Sequence, residues 1–334
     1  GIMTKAMLLT AAASDARMGG AKLPVMSSNG SGNHGLTAIL PIVAYGQKYP
    51  QSDEKMAKAL AISHLLTAYV KNFTGRLSAV CGCGVAASTG ASSGIGAATA
   101  KAFARRGENL IVIARRAELL ENLKGEIANI SPDSDVIVKP CDLSRSENVL
   151  ALWDDLKSYE LKALINNAGF GDFGFMGNHD IQKMVKMIDL NVTALAILSS
   201  LFVRDYKCKQ TQLINISSVG GYFLAPGVVP YCGTKFFVSA FTEGLYHELT
   251  QDADAKMQAK ILAPAATKSE FCDVASGKSG FDYDASFEKY HSSEQTADFL
   301  LTLYDSDACV GEVDLTSFEF KLSGPKFNYL AAAK

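Results

Sequence analysis

From residue 89 onward, short apolar runs of strand length alternate with longer segments of helical periodicity. The apolar runs lie at residues 110–114, 136–138, 164–165, 213–216 and 259–262, and the helical segments include residues 97–106, 146–157, 182–202 and 235–249. Runs that are apolar at consecutive positions indicate strands buried on both faces, as in a parallel sheet. The alternation predicts an α/β fold with a doubly wound parallel sheet and helices on both faces.

The first strand of this pattern is out of place. A glycine-rich turn at residues 90–96 should follow a strand directly, but residues 77–85 form a glycine-interrupted and poor strand. A better apolar run stands at residues 6–9, and joining Thr10 to Gly90 would give a continuous strand, turn and helix. We therefore predict that residues 1–10 supply the first strand, that residues 11–88 are an insertion, and that residues 89–334 complete the domain. The alternative for residues 5–13 is a short signal peptide.

The glycine-rich turn has the pattern G-x-x-x-G-x-G and opens a helical segment. Glycines let backbone amides approach a pyrophosphate, and the helix N-terminus adds a favourable partial charge. This is the phosphate-binding turn of a Rossmann-type fold, and the candidate contacts are Gly90, Ser92, Ser93, Gly94, Ile95 and Gly96.

Residues that follow the next two strands are candidates to bind the adenosine part of a dinucleotide. Arg115 and Arg116 follow the second strand, where an NAD site would place an acidic residue for the ribose hydroxyls. Two guanidinium groups favour a 2′-phosphate, so we predict NADP(H); the alternative is a solvated basic start to the next helix. Asp142 follows the third strand and could accept a hydrogen bond from adenine, or cap a helix with Ser144.

The candidate catalytic residues lie in the C-terminal half. Tyr231 and Lys235 are four residues apart, so on a helix they share a face, although such a pair alone is usually a surface feature. An ammonium about 4 Å from a phenol would lower its pKa from about 10 toward 7. Such a tyrosine can exchange a proton with a substrate oxygen, and the hydroxyl of Ser218, at the end of a strand, could hydrogen-bond that same oxygen.

Together these motifs resemble the short-chain dehydrogenase/reductase family, over residues 3–10 and 89–328. The similarity rests on five motifs in order: residues 89–96, Asn-Asn-Ala-Gly at residues 166–169, Asn191, Ser217-Ser218, and Tyr231 with Lys235. The resemblance implies an NADP(H)-dependent oxidoreductase that moves a hydride between nicotinamide and a carbonyl or alcohol carbon.

The resemblance also implies residue roles. Tyr231 would donate or accept the proton, Lys235 would lower its pKa and hold the nicotinamide ribose, and Ser218 would position the carbonyl. Asn191 would hold a relay water, although alone it could be a buried structural amide. Asn167, Ala168 and Gly169 would line the coenzyme, and Pro264 and Thr267 would lie beside the nicotinamide amide. Ala265 departs from the glycine usual in that loop, which weakens this last assignment.

Five aromatic residues flank the predicted site and indicate either an apolar substrate pocket or ordinary core packing. They are Phe170, Phe173, Phe175, Tyr222 and Phe223. Residues 268–290, rich in Ser, Gly and Asp, are predicted to form a lid.

The inserted segment, residues 11–88, is predicted to be mainly helical. Residues 53–72 have helical periodicity and Ser52 could cap that helix. Three stretches, at residues 15–20, 27–35 and 77–84, resemble an interior piece of the L-cysteine desulfidase / L-serine dehydratase α-chain-like family. This resemblance implies Cys83 as a candidate iron–sulfur ligand. Two cysteines, Cys81 and Cys83, are too few for a cluster, so we predict no metal site. Two alternatives stay open: an insert that blocks the coenzyme site, and a lyase acting through this segment.

Composition limits the partners. The net charge is −2 and 48% of residues are hydrophobic, which offers no bulk attraction for nucleic acid. No run of 18 apolar residues indicates a membrane span. Seven scattered cysteines indicate free thiols and a cytoplasmic location. The family resemblance suggests a homodimer or homotetramer through the helices that carry Asn191 and Tyr231. The carbonyl or alcohol substrate is predicted to be apolar because of the aromatic residues that flank the site.

Overall fold

The computed structural model of the protein describes residues 8–10, 12–13, 32–74 and 85–330. Residues 32–74 form two helices, α1 (Gly32–Lys48) and α2 (Asp53–Thr74). The helix predicted over residues 53–72 is therefore confirmed, and the hydroxyl of Ser52 accepts a hydrogen bond from the Lys55 amide at 3.4 Å. The two helices pack on each other, with Ser63 Oγ donating to the Ala38 carbonyl at 2.9 Å.

An eight-stranded sheet forms the rest of the fold, in the order β10-β9-β6-β5-β4-β1-β2-β3. Neighbouring strands are parallel except for the edge strand β10, which is antiparallel to β9. The strands are β1 (Val85–Thr89), β2 (Asn109–Ala114), β3 (Val136–Pro140), β4 (Leu161–Asn166), β5 (Gln212–Ile216), β6 (Gln258–Ala263), β9 (Val310–Val313) and β10 (Phe320–Ser323), and β7 (Thr267–Lys268) and β8 (His291–Ser292) pair separately.

Helices cover both faces of this sheet. They are α3 (Gly94–Arg105), α4 (Ala117–Ile130), α5 (Ser146–Leu156), α6 (Ile181–Ile188), α7 (Leu195–Tyr206), α8 (Val229–Gln251), α9 (Phe271–Ser276), α10 (Tyr283–Ser286) and α11 (Ser293–Tyr304). One core layer contains Trp153 and Phe202, and the other contains Phe103, Leu120 and Leu300. The predicted Rossmann-type parallel sheet and helical N-terminal segment are confirmed.

The position predicted for the first strand is wrong. Leu8–Thr10 is helical, residues 1–7 lie outside the described residues, and β1 (Val85–Thr89) is the central strand, immediately before the glycine-rich turn. All five residues of β1 are buried, and the strand pairs with both β2 and β4. β1 contains two alanines and therefore has a weak strand propensity, and burial on both faces with pairing on both edges compensates for it. The helical segment therefore precedes the first strand and does not interrupt the βα turn.

A long apolar helical stretch lies in the middle of the domain. α6, a π-helical turn (Asp189–Ala194) and α7 run continuously over residues 181–206, which is long and apolar enough to cross a membrane by length and composition alone. Its α7 part buries Leu198 and Phe202 in the core layer that contains Trp153. A core helix of a globular domain passes the same test of length and hydropathy.

Lys260 is a buried cation in the core strand β6. Its Nζ donates to the carbonyls of Leu303 (3.1 Å), Tyr304 (3.0 Å) and Ser306, at the C-terminal end of α11. Leu303 and Tyr304 are in the last turn of α11, where the carbonyls lack the amide four residues further on, so the ammonium caps α11. Burial disfavours the charged form and lowers the pKa of Lys260 to about 8.

We expect this lysine to make stability depend on pH. Its pKa rises from about 8 in the folded protein to its ordinary 10.5 on unfolding, so the unfolded state binds more protons between these values. The contribution of Lys260 should therefore become more favourable as pH rises from 8 to 10.5. The measurement is the free energy of unfolding of the wild type minus that of Lys260→Met across this range. The same measurement on the exposed Lys256→Met is the control; a Lys260 difference that does not rise over this range would contradict the lowered pKa.

Candidate active site

The glycine-rich turn connects the carboxyl end of β1 to α3. Gly90 and Gly94 have φ angles of +64° and +55°, which favour glycine. A Cβ on Gly96 would lie 2.3 Å from the Gly90 carbonyl oxygen, so that position also requires glycine. Because α3 begins at Gly94, the turn presents the N-terminal amides of a twelve-residue helix. The turn is intact, which favours a working coenzyme site over the alternative of a blocked one.

The end of β4 holds this turn in place. Thr89 Oγ1 accepts hydrogen bonds from the amides of Asn167 (2.9 Å) and Ala168 (3.0 Å). The Asn167 side chain donates to the carbonyls of Thr89 and Gly90, both at 3.2 Å. Residues predicted to line the coenzyme therefore contact the predicted phosphate turn directly.

Arg116, after β2, reaches the same turn. Its guanidinium donates to Ser92 Oγ at 3.1 Å and to Ser93 Oγ at 2.9 Å. It also forms an ion pair of 2.7 Å with Glu270, which the sequence analysis did not single out. The hydrogen bond from Arg116 holds the pKa of Glu270 below its ordinary value. Arg115 is exposed beside this group.

Asp142 lies near Arg115 at the end of β3. Its Oδ1 accepts hydrogen bonds from the Ser144 amide (3.1 Å) and hydroxyl (2.8 Å). Burial acts to raise the pKa of Asp142, but the bonds from Ser144 and the charge of Arg115 outweigh it, and the pKa is lowered. Asp142 is therefore an ionised acceptor in a local turn, and the N-cap of α5 is Arg145.

Ser218 and Tyr231 lie side by side beyond the carboxyl end of β5. Ser218 caps a short 3-10 turn (Val219–Gly221), where its Oγ accepts from the Gly220 amide at 3.1 Å. Tyr231 is in the first turn of α8, after Pro230. A Cβ at Gly220 would lie 3.5 Å from Ser218 Oγ and 3.8 Å from Tyr231 Cε1, so both side chains border one position.

Lys235 is buried one turn further along α8. Its Nζ donates to the Ile216 carbonyl at 2.8 Å and lies 5.8 Å from the ring centroid of Tyr231. Burial lowers the pKa of Lys235 to about 8.

The predicted lowering of the tyrosine pKa is wrong for this structure. Burial raises the pKa of Tyr231 above its ordinary value, and a hydrogen bond with Ser218 offsets only part of the increase. The physical reason is desolvation, which disfavours both the phenolate and the neighbouring ammonium. Tyr231 is therefore a protonated phenol at neutral pH.

Asn191 lies in the π-helical turn between α6 and α7 and is buried. Its side-chain nitrogen Nδ2 donates to the Phe170 carbonyl (2.9 Å) and to Thr234 Oγ1 (3.1 Å). Its side-chain oxygen Oδ1 accepts from the Phe170 amide (3.1 Å). A Cβ at Gly169 would lie 3.0 Å from Asn191 Oδ1 and 3.6 Å from Lys235 Nζ. The structure thus brings Asn191, Gly169 and Lys235 together.

The loop after β6 closes the site from the other side. The Pro264 carbonyl accepts from the Val219 amide at 3.0 Å, next to Ser218. Thr267 Oγ1 donates to the Ala265 carbonyl at 3.1 Å and lies 3.2 Å from Thr296 Oγ1. The structure therefore places Pro264 beside the catalytic candidates and ties Thr267 to α11.

Residues 268–290, predicted as a lid, contain α9 and α10. Phe271 of α9 packs against Tyr231, with ring centroids 5.3 Å apart, and against Phe173 at 6.5 Å. The Phe173 amide donates to the Ala275 carbonyl at 3.0 Å. The aromatic residues divide: Phe173, Phe175 and Phe223 are exposed, whereas Tyr222 donates to Glu243 and stacks on Phe327.

A buried cluster of charged and polar side chains supports α9 and the loop that contains Phe173. Sequence reasoning missed this cluster. The Asp172 carboxylate pairs with Lys183 Nζ at 2.5 Å and with His179 Nδ1 at 2.6 Å. Lys183 also donates to the Val274 carbonyl at 3.1 Å, so the cluster joins α6 to α9. His179 and Lys183 follow Asp172 by seven and eleven positions, and the three residues are divided between a loop and the start of α6, so no single periodic pattern marks them.

The comparisons with known proteins agree with this geometry. A family model described as short chain dehydrogenase matches residues 84–277, more than half of the chain. This chain belongs to the short-chain dehydrogenase family. A short-chain dehydrogenase from Sphingobium yanoikuyae, in complex with NADPH, is 30% identical with a TM-score of 0.62; the match covers 70% of this chain and 89% of that chain. A bulky-bulky ketone specific alcohol dehydrogenase from Comamonas testosteroni is 27% identical with a TM-score of 0.58, over 69% of this chain and 85% of that chain.

The N-terminal part of this short-chain dehydrogenase has different relatives. A family model described as serine dehydratase alpha chain matches residues 2–113 and overlaps the other match over residues 84–113, from β1 into β2. A UPF0597 protein of Clostridioides difficile is 79% identical over 94 residues, which is 28% of this chain and 22% of that protein. The chain thus spans about a fifth of the length of the curated relatives it matches. Cys81 and Cys83 lie outside the described residues, so their predicted role stays untested.

Proposed function

We propose that this short-chain dehydrogenase is an NADP(H)-dependent oxidoreductase that interconverts a carbonyl and an alcohol. The observation that carries the proposal is the placement of Ser218 and Tyr231 around one position, with Lys235 beside the phenol ring. A hydroxyl and a protonated phenol arranged in this way can together bind a carbonyl oxygen and give it a proton.

The glycine turn fits a dinucleotide pyrophosphate, because it leads directly into the N-terminus of α3 at Gly94, where backbone amides are free to bind an anion. The turn keeps this shape only with glycine at positions 90 and 96, where a Cβ would collide with neighbouring protein atoms. Gly94 and the amides that follow it would hold the pyrophosphate, and Arg115 and Arg116 would hold a 2′-phosphate. The bound nicotinamide supplies or accepts the hydride.

The roles proposed for the chain's own residues follow from their environments. Tyr231, kept neutral by burial, is the proton donor during reduction, and Ser218 orients the carbonyl. Lys235 is positioned to hold the nicotinamide ribose, and its charge acts on the phenol when a proton leaves. Asn191 holds the Phe170 backbone next to Lys235 and is positioned to orient a relay water.

We propose an apolar ketone or secondary alcohol as substrate. Phe271 packs directly on Tyr231, and Phe173 packs on Phe271, so the approach to the phenol is aromatic. Phe175 and Phe223, in loops flanking the site, expose 69% and 51% of their surface, which is more than core packing allows. We expect turnover of aryl or branched ketones with NADPH, measured by loss of NADPH absorbance. Failure with every carbonyl and alcohol, with either coenzyme, would contradict the proposal.

Assembly and location are also proposals. Ile181, Val185 and Ile188 of α6 and Phe237 of α8 are exposed apolar side chains, which supports a homodimer or homotetramer through these helices. The free thiols of Cys141, Cys208, Cys232, Cys272 and Cys309 support a reducing, cytoplasmic location.

The coenzyme assignment predicts a selective effect of Arg116→Ala. Loss of a charge-assisted hydrogen bond to a 2′-phosphate, about 1.5–3 kcal/mol, should weaken NADPH binding by about tenfold to a hundredfold. NADH lacks this phosphate, so its affinity should hardly change. Fluorescence titration of both coenzymes measures the ratio, and Arg145→Ala, which removes an exposed arginine beyond β3, is the control. Equal losses for NADPH and NADH would argue against a 2′-phosphate contact.

A further inference from the structure

We propose that Glu270 sets the coenzyme preference, because its carboxylate competes with the 2′-phosphate of NADP(H) for Arg116. The proposal rests on the proposed NADP(H)-dependent function and adds a residue that opposes the phosphate. Glu270 immediately precedes α9, the helix whose Phe271 packs on Tyr231. The proposal makes it a residue that distinguishes NADP(H) from NAD(H).

The geometry gives Glu270 the donors that a phosphate would use. Its Oε2 accepts from Arg116 Nη2 at 2.7 Å and from Ser93 Oγ at 2.8 Å. The same Arg116 nitrogen donates to Ser92 and Ser93 of the glycine turn. One carboxylate oxygen therefore occupies a donor of Arg116, which is assigned to the 2′-phosphate, and the neighbouring hydroxyl of Ser93.

The backbone holds Glu270 in this position. It immediately precedes α9, whose Ala275 carbonyl accepts from the Phe173 amide at 3.0 Å. The neighbouring Ser269 contacts the turn itself, since a Cβ at Gly94 would lie 2.9 Å from Ser269 Cβ. Glu270 is thus fixed against the turn by contacts on both sides of it in the sequence.

The electrostatics favour competition over sharing. A phosphate dianion and a carboxylate on the same guanidinium repel each other, so the phosphate either displaces Glu270 or binds beside a like charge. Arg116 and Glu270 side chains are 47% and 50% exposed, so their ion pair is weak enough to be displaced. NADH brings no phosphate to this position, and its binding leaves the pair in place.

The test compares Glu270→Gln with Glu288→Gln, which removes the same charge from an exposed position of the same segment. Kd values for NADPH and NADH are measured by fluorescence titration, and 2′,5′-ADP and 5′-AMP serve as competing fragments. We expect Glu270→Gln to bind NADPH and 2′,5′-ADP about tenfold more tightly, or about 1.4 kcal/mol. Its affinity for NADH and 5′-AMP should stay within about twofold of the wild type, well under 1.4 kcal/mol. Glu288→Gln should change neither ratio.

Unchanged or weaker NADPH binding in folded Glu270→Gln, with the fold checked by thermal unfolding, would overturn the proposal. A selective loss of NADH affinity would also overturn it, because Glu270 would then be a partner of the ribose hydroxyls. Failure of the proposed function itself has another signature: Arg116→Ala would leave NADPH affinity unchanged, whatever Glu270→Gln does.

Discussion

Tyr231→Phe is expected to lower ketone turnover by about a thousandfold, within the range found for removal of a positioned general acid. The change removes one hydroxyl and keeps the ring that packs on Phe271. NADPH affinity should therefore be retained while kcat falls. Rates of NADPH loss under saturating ketone, together with a coenzyme titration, separate these two effects.

The stability of this variant should change little. Ser218 Oγ loses its bond with the phenol but still accepts from the Gly220 amide, so we expect a cost of about 1 kcal/mol in unfolding free energy. Tyr246→Phe, on the same helix α8, is the matched control and should keep full activity. A Tyr231→Phe enzyme with near wild-type kcat would remove Tyr231 from the chemistry.

Gly96→Ala is expected to lose both stability and coenzyme binding. The added Cβ would lie 2.3 Å from the Gly90 carbonyl oxygen and 2.6 Å from Asn167 Nδ2, so the turn would have to shift. Overpacking of this kind costs roughly 3 kcal/mol in unfolding free energy. NADPH affinity should fall more than tenfold, or about 1.4 kcal/mol, since the shifted amides no longer converge on the pyrophosphate.

Gly125→Ala provides the opposite expectation. Gly125 is inside helix α4, and a Cβ there would meet no atom within 4 Å. Alanine is favoured over glycine in a helix by about 1 kcal/mol, so this variant should be more stable with unchanged NADPH binding. Chemical denaturation of both variants gives the two free energies. A Gly96→Ala protein as stable as Gly125→Ala would show that the turn is not tightly packed.

The sequence alone could predict the features that depend on local spacing. All five apolar runs appear as parallel strands, and four of them are buried, because uninterrupted apolar residues suit a sheet covered on both faces. The fifth, in β3, lies at the edge of the sheet and is mostly half-buried. Tyr231 and Lys235 could be paired because residues four apart share a helix face. The glycine turn and Ser218 each follow a predicted strand, so the sequence also indicated that the site lies at the carboxyl ends of the strands.

β1 shows where such reasoning fails. Val85 and Thr89 flank two alanines and a serine, and glycines precede them, so the segment has little strand propensity. Its conformation comes from its neighbours: β2 and β4 pair with it on both edges. The first strand was predicted at residues 6–9 because that run is more apolar. Strand propensity carries no information about which segment finds pairing partners.

Contacts distant in sequence explain the other omissions. Glu270 and Arg116 are 154 residues apart, and no local pattern joins them. The raised pKa of Tyr231 follows from burial, which the spacing to Lys235 cannot reveal. The π-helical turn that directs Asn191 inward likewise has no sequence signature.

The direction of β1 has a consequence for the architecture of the whole chain. Val85 is at the amino-terminal end of this central strand, where its amide donates to the Glu160 carbonyl. Thr89 is at the carboxyl-terminal end, beside the coenzyme turn. Five residues of strand separate these ends by roughly 13 Å. A segment that precedes Val85 therefore joins the sheet at the strand ends opposite the glycine turn, and the whole length of β1 separates its point of attachment from the coenzyme site.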